Sequence, residues 1–336
     1  MTVKCNATTQ IPDPVCAAAM GVSVVIPTHN GRKWLAGTLA SVLTQMGASV
    51  QEVLVVDDCS DDGTPEYVQG LGWDKVRVIR LRRNLGVAHA RNVGVAEARG
   101  PLIAFNDQDD VWLPGKLLQQ QRALAAHPHA CGVIGGYARL AADGNSRWSF
   151  SLLRWRWSPE HVPRLRDPSR YNPDSDGGCY LQSLLVRRDS VLDAGGFRVG
   201  LPLADDSDFL ARLAERCPLV CVPEALFLYR LGDHNQTAPG IAKAQQFLAA
   251  RAYVAAAAQS RRNGLPEPDV ALHMREYKPA KGEIAAFQIA QEMRLLNTVM
   301  VQRGAALAAW RLISRSIWKI GFARQLCTRA LYWIRR

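Results

Sequence analysis

Short apolar runs alternate with amphipathic stretches over the first 112 residues. The runs are rich in β-branched residues, and three of the four end at proline, aspartate or asparagine, which is typical of buried strands. Strands that alternate with helices through short connections predict a doubly wound, mostly parallel sheet of the α/β class. The predicted strands cover residues 22–27, 53–56, 76–79 and 101–105, and the predicted helices cover 34–46, a segment capped by Thr64, and 87–98.

The pattern is weaker after residue 112. Residues 140–178 lose the periodicity and are rich in Arg, Trp and Pro, which predicts a mobile loop or an insertion. Beyond about residue 240 the chain is Ala-rich and helical in pattern. Strand signals cover 180–186 and 219–222, and helices are predicted near Ser190 and over 209–216, the latter capped by the Asp205–Asp208 cluster. We therefore predict a flexible N-terminus at 1–20, an α/β domain at 21–240 made of halves 21–112 and 113–240, and a helical C-terminal extension at 241–336.

The composition is that of a folded protein with a sizeable core. Apolar residues make up 48% of the 336 residues and charged residues 21%, which excludes disorder and fibrous repeats. No apolar run reaches the length of a spanning helix, and residues 1–20 lack the signal-peptide pattern, so we expect neither feature. The eight cysteines are scattered without a C-x-x-C pair, which favours reduced thiols in a cytosolic protein over disulfides or structural zinc.

The net charge of +11 is confined to the C-terminal extension. Residues 1–240 contain equal numbers of basic and acidic residues, whereas residues 241–336 contain 16 Lys and Arg against five Asp and Glu. Residues 303–336 carry eight basic and five aromatic residues and no acid, a pattern suited to an amphipathic helix on anionic lipid. Packing on the α/β domain and nucleic-acid binding are the alternatives. We favour the membrane surface and expect no nucleic-acid partner.

Two acidic clusters follow predicted strands directly. Because ligands of doubly wound sheets bind beyond the carboxyl ends of the strands, both clusters are expected at the ligand-binding edge. The carboxylates of Asp107, Asp109 and Asp110 can hold a hard divalent cation and leave positions for phosphate oxygens, although a solvated acidic turn has the same pattern. Within the Asp57–Asp62 cluster, Asp58, Ser60 and Asp62 have the spacing of the start of a calcium loop. Gln69 occupies the twelfth position counted from Asp58, where such a loop has Glu, so we reject calcium there.

Three further groups could contribute to chemistry. Arg91, near the start of a predicted helix, could clamp a phosphate or be a solvated charge. The Asp205–Asp208 cluster could supply a base that deprotonates a sugar hydroxyl, or it could serve only as a helix cap. His234 could bind metal or phosphate, or be a surface residue. Neither a G-x-G-x-x-G motif nor a Walker A loop follows the first strand, which disfavours nicotinamide-dependent hydride transfer and P-loop hydrolysis.

Several motifs, in this order along residues 21–237, resemble glycosyltransferase family 2, the inverting nucleotide-sugar transferases with the GT-A fold. No single motif is decisive, but six or seven in the right order are specific. They are Val24–Asn30, Val55–Thr64, Asn84–Gly86 with Ala90–Asn92, Ala104–Trp112, Gly195–Phe197, Asp205–Asp208 and Tyr229–Arg230.

The resemblance implies a role for individual residues. It implies that Asp206 is the catalytic base and that Asp110 binds the divalent metal, Mn²⁺ or Mg²⁺, with His234 at a second metal or phosphate position. The chain departs from the family pattern at Asp205, where Glu is usual, and at Gly232, where a His is common. The residues implied at the nucleotide sugar are Pro27, Thr28, Asn30, Asp58, Arg91 and Asp109, and the half at 21–112 would bind the nucleotide.

These implications lead to one hypothesis and two alternatives. The chain would transfer a sugar from a UDP- or dTDP-linked donor to a hydroxyl of a surface polysaccharide, lipopolysaccharide or glycolipid, in the cytoplasm or at the inner face of the cytoplasmic membrane. Asp107, Gln182 and the aromatic Trp155 are further candidates around the sugars. The alternatives are a catalytically silent nucleotide-sugar-binding or membrane-adaptor protein, and a nucleotidyl transferase. The missing Gly-rich basic loop after the first strand disfavours the last of these.

Overall fold

A single mixed sheet of eight strands organises the protein. The computed structural model describes residues 20–45, 48–141, 180–231 and 241–288. The strands lie in the order β3-β2-β1-β4-β7-β6-β8-β5 across the sheet. They are β1 (Val22–Thr28), β2 (Val50–Asp57), β3 (Val76–Arg80), β4 (Leu102–Phe105), β5 (Val111–Trp112), β6 (Gly132–Ala141), β7 (Leu185–Arg187) and β8 (Leu219–Leu231).

The predicted parallel sheet is accurate for the first half of the chain. Strands β1, β2, β3 and β4 pair in parallel, and so do β6 and β8. Strand β7 runs antiparallel to both β4 and β6, and the short β5 runs antiparallel to β8. The parallel pairs place the carboxyl ends of β1, β2 and β4 together at one edge of the sheet.

Helices cover both faces of this sheet, as a doubly wound fold requires. One core joins the sheet to α1, α2 and α4, and the other joins it to α3, α5 and α6. The helices are α1 (Arg32–Leu43), α2 (Thr64–Gly70), α3 (Val87–Glu97), α4 (Lys116–Ala126), α5 (Arg188–Asp193), α6 (Asp205–Arg216), α7 (Ile241–Arg262) and α8 (Val270–Glu276).

Some predicted element boundaries are wrong. The Asp205–Asp208 cluster forms the first turn of α6 and does not precede it, because the backbone is already helical from Asp205. Residues Leu181–Ser183 form a short 3-10 turn before a three-residue strand, where a longer strand is predicted. Thr64 is the first residue of α2, and Gly63 takes the cap position in a left-handed conformation. Helix α4 and strand β6 occupy a region for which the pattern gave no prediction.

The expectation of reduced thiols is wrong for one pair of cysteines. Cys131, next to the start of β6, and Cys217, at the end of α6, form a disulfide with their Cα atoms 5.9 Å apart. The two lie 86 residues apart in sequence, so no local spacing reveals them. Cys59 and Cys221 are free thiols, and the other four cysteines lie outside the described residues.

The described part of the C-terminal extension packs on the α/β domain. Tyr253 and its neighbours on α7 form a small core with Leu201 and Ala204, which precede α6. Arg261 on α7 bonds both carboxylate oxygens of Glu215 on α6, at 2.6 and 3.0 Å. Helix α7 therefore packs on this domain, whereas the membrane, packing and nucleic-acid alternatives were stated for residues 303–336 and stay open. The N-terminus, most of the predicted loop at 140–178 and the basic tail at 303–336 lie outside the described residues. Across the ranges that are described, no helix combines the length and apolar character needed to cross a bilayer.

Candidate active site

The loops after β1 and β2 form one wall of the candidate site. Asn30 and Cys59, at the tips of these loops, both adopt left-handed backbone conformations, with φ of 54° and 64°. Such conformations are uncommon outside glycine and are frequent at functional sites. The loops bind each other, since the Asn30 amide donates to Ser60 Oγ at 2.8 Å and the Asp61 amide donates to Asn30 Oδ1 at 3.0 Å.

Asp58, predicted to contact the nucleoside, is buried at the end of β2. Its two carboxylate oxygens accept hydrogen bonds from the backbone amides of Leu85 and Gly86, each at 2.8 Å. Its own amide donates to the Thr28 carbonyl at 2.8 Å. Asp58 therefore joins the ends of β1 and β2 to the loop that leads into α3.

Gln108 is a site residue that the sequence analysis did not single out. Its side-chain oxygen accepts hydrogen bonds from Thr28 Oγ1 at 2.7 Å and from the His29 amide at 3.0 Å. Its backbone carbonyl accepts from Thr38 Oγ1 at 2.9 Å. Gly31 must lack a side chain here, because a Cβ atom would lie 2.3 Å from Thr28 Oγ1. Gln108 thus connects the loop after β1 to the acidic turn after β4.

The acidic turn presents Asp110, which is buried. Its Oδ1 atom accepts a hydrogen bond from the Arg230 amide at 2.8 Å, and Arg230 Nε donates to the Asp109 carbonyl at 2.8 Å. The Oδ2 atom of Asp110 has no hydrogen-bond partner among the described residues. Burial, together with the neighbouring charges of Asp109 and Asp107, raises the pKa of Asp110 well above its ordinary value.

These features fit a divalent cation. A cation would satisfy the unpaired oxygen and offset the repulsion between the three carboxylates. No group of three Asp, Glu, His or Cys side chains in the described ranges is arranged to hold a metal by itself. The residues therefore fit an ion that takes one or two carboxylates and completes its shell with phosphate oxygens, as Mg²⁺ commonly does.

Arg91 connects the acidic turn to the first turn of α6. Its guanidinium is buried and pairs with Asp205 Oδ2 at 2.7 Å and with Asp107 Oδ1 at 2.8 Å. Burial alone would lower the pKa of the Arg91 guanidinium, but the negative charges of Asp205 and Asp107 outweigh this effect and raise the pKa. The second oxygen of Asp107 accepts a hydrogen bond from Gln182 Nε2. Burial raises the pKa of Asp107, and the charge of Arg91 opposes that rise.

Asp206 lies beside this bridge on the first turn of α6. Its Oδ1 atom accepts a hydrogen bond from the Ser207 amide at 2.6 Å. Burial and the adjacent charge of Asp205 raise the pKa of Asp206 to about 6, although Arg91 opposes the shift. Asp208 is fully buried and pairs with Arg212 at 2.7 Å, which is a structural contact. The raised pKa of Asp206 lies close to neutrality, as a general base requires.

The structure brings together the ends of β1, β2 and β4, Arg91, Gln182 and the start of α6. Asn30 is exposed at the loop tip, whereas Pro27 is buried within β1 opposite Val56. His234 and Trp155 lie outside the described residues. Arg91 therefore bridges the acidic turn after β4 and the Asp205–Asp208 cluster by pairing with Asp107 and Asp205, although 114 residues separate Arg91 from Asp205.

Comparison with known proteins gives consistent matches. The family model described as Glycosyl transferase family 2 matches residues 23–185. The chain is 42% identical over 216 residues to the succinoglycan biosynthesis protein ExoO of Rhizobium meliloti, covering 63% of this chain and 61% of that one. It is 35% identical over 99 residues to the UDP-Glc:alpha-D-GlcNAc-diphosphoundecaprenol beta-1,3-glucosyltransferase WfgD of Escherichia coli, covering 30% and 39% of the two chains. The chain thus spans less than two thirds of these relatives' length.

A solved structure supports the predicted architecture. The fold is similar to that of the mannosyltransferase PcManGT from Pyrobaculum calidifontis, determined in complex with GDP-Man and Mn²⁺. The TM-score is 0.53 at 20% sequence identity, and the match covers 92% of this chain and 84% of the other. The GT-A fold is confirmed, with the mixed sheet described above.

Proposed function

Because this chain belongs to glycosyltransferase family 2, we propose that it is a metal-dependent inverting glycosyltransferase. The donor is a nucleoside diphosphate sugar, with UDP or dTDP as the nucleotide, and the acceptor is a hydroxyl of a surface polysaccharide, lipopolysaccharide or glycolipid. The relatives' names support this choice, since one is a succinoglycan biosynthesis protein and another uses UDP-Glc with a diphosphoundecaprenol-linked acceptor.

The donor binds at the ends of β1, β2 and β4. Thr28, Asn30 and Asp58 contact the nucleoside, and Pro27 holds the end of β1 in place below it. Asp109 lies nearer the sugar and ribose of the donor, and Asp110 would hold the cation. A bound Mn²⁺ or Mg²⁺ neutralises the negative charge that develops on the departing diphosphate. The unpaired Asp110 oxygen is the observation that supports this assignment.

Asp206 deprotonates the acceptor hydroxyl. A carboxyl with a pKa of about 6 is mostly ionised at neutral pH, yet is more basic than an ordinary aspartate. The acceptor oxygen then attacks the anomeric carbon opposite the leaving diphosphate, so a single displacement inverts the configuration. Arg91, fixed between Asp107 and Asp205, keeps the base at a constant position relative to the donor.

The ion pairs of Arg91 are the observation on which the proposal depends most. They join the first turn of α6, which carries the proposed base, to the acidic turn proposed to bind the metal, and this proximity supports a one-step displacement. Gln182, which contacts Asp107, belongs to residues 113–240, the half of the domain that would bind the acceptor. Trp155 belongs to the same half in sequence. The basic tail at 303–336 would bring the enzyme to anionic membranes that carry lipid-linked acceptors.

The substitution Asp206→Asn tests the assignment of the base. We expect release of the nucleoside diphosphate, measured with Mn²⁺ or Mg²⁺ and a panel of UDP-, dTDP- and GDP-sugars, to fall by about 10²–10⁴-fold. Binding of the nucleotide, measured by calorimetry, should be retained because Asp206 does not contact the donor. Full turnover by the variant would show that the base assignment is wrong. A wild-type protein that binds nucleotide but never releases product would favour the silent binding protein.

A further inference from the structure

A buried lysine at the start of α4 has no role in the proposed chemistry. Lys116 is almost completely buried, and no carboxylate among the described residues pairs with it. Its ammonium donates to Gln120 Oε1 at 2.8 Å and lies 4.1 Å from the centre of the Trp112 ring. Burial lowers the pKa of Lys116 well below its ordinary value. An apolar side chain would fill this space without that desolvation penalty, so the amine must have a specific use.

Its partner Gln120 is also fully buried, and both the oxygen and the nitrogen of its carboxamide form hydrogen bonds. The Nε2 atom donates to the Val133 carbonyl at 3.0 Å and to the Ser183 carbonyl at 2.7 Å. The hydrogen bond from Lys116 to the oxygen fixes which way the carboxamide faces, because a flip would turn Oε1 toward two carbonyl oxygens. Gln120 is therefore a rigid connection between α4, β6 and the 3-10 turn at Leu181–Ser183.

The 3-10 turn carries Gln182 to the edge of the candidate site. Gln182 donates to Asp107, and Asp107 pairs with Arg91. A continuous series of polar contacts thus runs from Lys116 through Gln120 and the turn to the acidic cluster.

We propose that Lys116 and Gln120 are positioning residues that hold the 3-10 turn, and through Gln182 hold Asp107 in place for donor binding. The consequence for binding rests on the proposed function. The effect on the 3-10 turn does not depend on the proposed function, so nucleotide binding and the order of the turn can be tested separately.

Helix α4 offers a matched control. Gln121, next to Gln120, is equally buried, but within the described residues it donates only to the Met20 carbonyl, at 2.9 Å, and makes no hydrogen bond to the turn. Gln120→Met and Gln121→Met therefore make the same chemical change at adjacent buried positions. Both should lower the melting temperature, while only Gln120→Met should affect the site.

The first measurement is hydrogen exchange of peptides covering residues 180–187. We expect faster exchange in Gln120→Met and in Lys116→Met, and unchanged exchange in Gln121→Met. The second is the Kd of UDP, dTDP and GDP in the presence of Mn²⁺. For the nucleotide that binds the wild type best, we expect Gln120→Met to raise the Kd about fivefold, as for one lost hydrogen bond. Gln121→Met should leave it within about twofold.

A double-mutant cycle with Gln182→Met tests the route. If Gln120 acts through Gln182, then Gln120→Met added to Gln182→Met should weaken nucleotide binding no further. Additive effects, or equal exchange and Kd values for Gln120→Met and Gln121→Met, would overturn the proposal. A wild type that binds none of the three nucleotides would contradict the proposed function instead, and the exchange data would still decide whether Gln120 positions the turn.

Discussion

Buried acids lie at both ends of the sheet, and their surroundings shift their pKa values in opposite directions. At the amino ends of the strands, Glu52 accepts hydrogen bonds from Ser23 Oγ, the Arg99 amide and Arg77, at 2.7–2.8 Å. Burial alone would raise the pKa of Glu52, but the hydrogen bonds from Arg77, Arg99 and Ser23 outweigh it and lower the pKa. At the carboxyl ends, burial and like charges raise the pKa of both Asp110 and Asp206.

The difference separates an acid that stabilises the fold from two acids to which the proposed function gives a ligand-binding or catalytic role. Glu52 has a partner for each carboxylate oxygen, so its ionised form is favoured in the folded state. Asp110 keeps a buried oxygen that has no hydrogen-bond partner among the described residues, which lowers the stability of the protein. In the proposed function, a cation held by Asp110 would relieve this cost. Functional sites commonly hold such unfavourable arrangements, and the rest of the fold offsets them.

After Asp206→Asn, the largest expected effect concerns Asp110. Asp110→Asn keeps an acceptor for the Arg230 amide but removes the charge that faces the cation. We expect release of nucleoside diphosphate to fall by about 10²–10³-fold, because a charged ligand to the diphosphate-bound ion is lost. In buffer with EDTA, the free energy of unfolding should rise by about 1 kcal/mol, since a buried and unpaired charge is removed.

Parallel assays of turnover and of urea unfolding check both parts of this prediction. Asp206→Asn is the comparison variant, because it removes a charge from the same site without touching the proposed cation position. A loss of stability in Asp110→Asn with EDTA present would mean that Asp110 is a structural acid like Glu52. The contrast between the two ends of the sheet would then disappear.

The sequence predicted the strand ends well, because their evidence is local. Apolar runs that end in aspartates fix the carboxyl ends of β2 and β4, and the parallel topology brings them together. The partners of Arg91 could not be predicted, since its contact with Asp205 spans 114 residues and depends on how α6 packs.

Uncharged and distant residues were harder to predict. Lys116 and Gln120 carry no motif signal, because an amide or a lysine on a helix is usually solvent-exposed. Gln108 lies within the Ala104–Trp112 motif, but the aspartates around it drew the chemical interpretation. The Cys131–Cys217 disulfide was missed for a related reason, since pairing depends on three-dimensional proximity and not on spacing. Local patterns thus predicted which acidic residues lie at the strand ends, while the residues that contact and position them required the structure.

The second prediction concerns the other end of the sheet. Glu52→Gln should lower the free energy of unfolding by about 1–3 kcal/mol, because a buried, charge-assisted hydrogen-bond network is disrupted. Turnover should stay within about twofold of the wild type. The experiment pairs thermal or urea unfolding with the product-release assay.

Glu66→Gln provides the matched control. Glu66 also pairs with an arginine, Arg80, at 2.8 Å, but both side chains are more than half exposed. Exposed ion pairs contribute little, so this variant should change stability by about 0.5 kcal/mol or less. Similar losses in Glu52→Gln and Glu66→Gln would show that burial does not distinguish Glu52.

The smallest expected effect is a difference in pH dependence between the two ends of the sheet. The pKa of Glu52 is lower in the folded than in the unfolded protein, so its contribution is present above the unfolded pKa and is lost as the pH falls through the folded pKa. The pKa of Asp206 is raised to about 6, so between about pH 4 and 6 the folded state binds more protons and stability falls as the pH rises.

Relative to the wild type, Asp206→Asn should therefore gain about 1–2 kcal/mol of stability as the pH rises through that interval, after allowance for partial solvent screening, and should gain no more above pH 7. The deficit of Glu52→Gln should instead shrink only at pH values below about 4. Urea unfolding of the wild type, Asp206→Asn and Glu52→Gln from pH 3 to 8 measures stability in both pH intervals. A stability difference between Asp206→Asn and the wild type that stays constant across pH 4–6 would contradict the raised pKa on which the proposed role of Asp206 as a base depends.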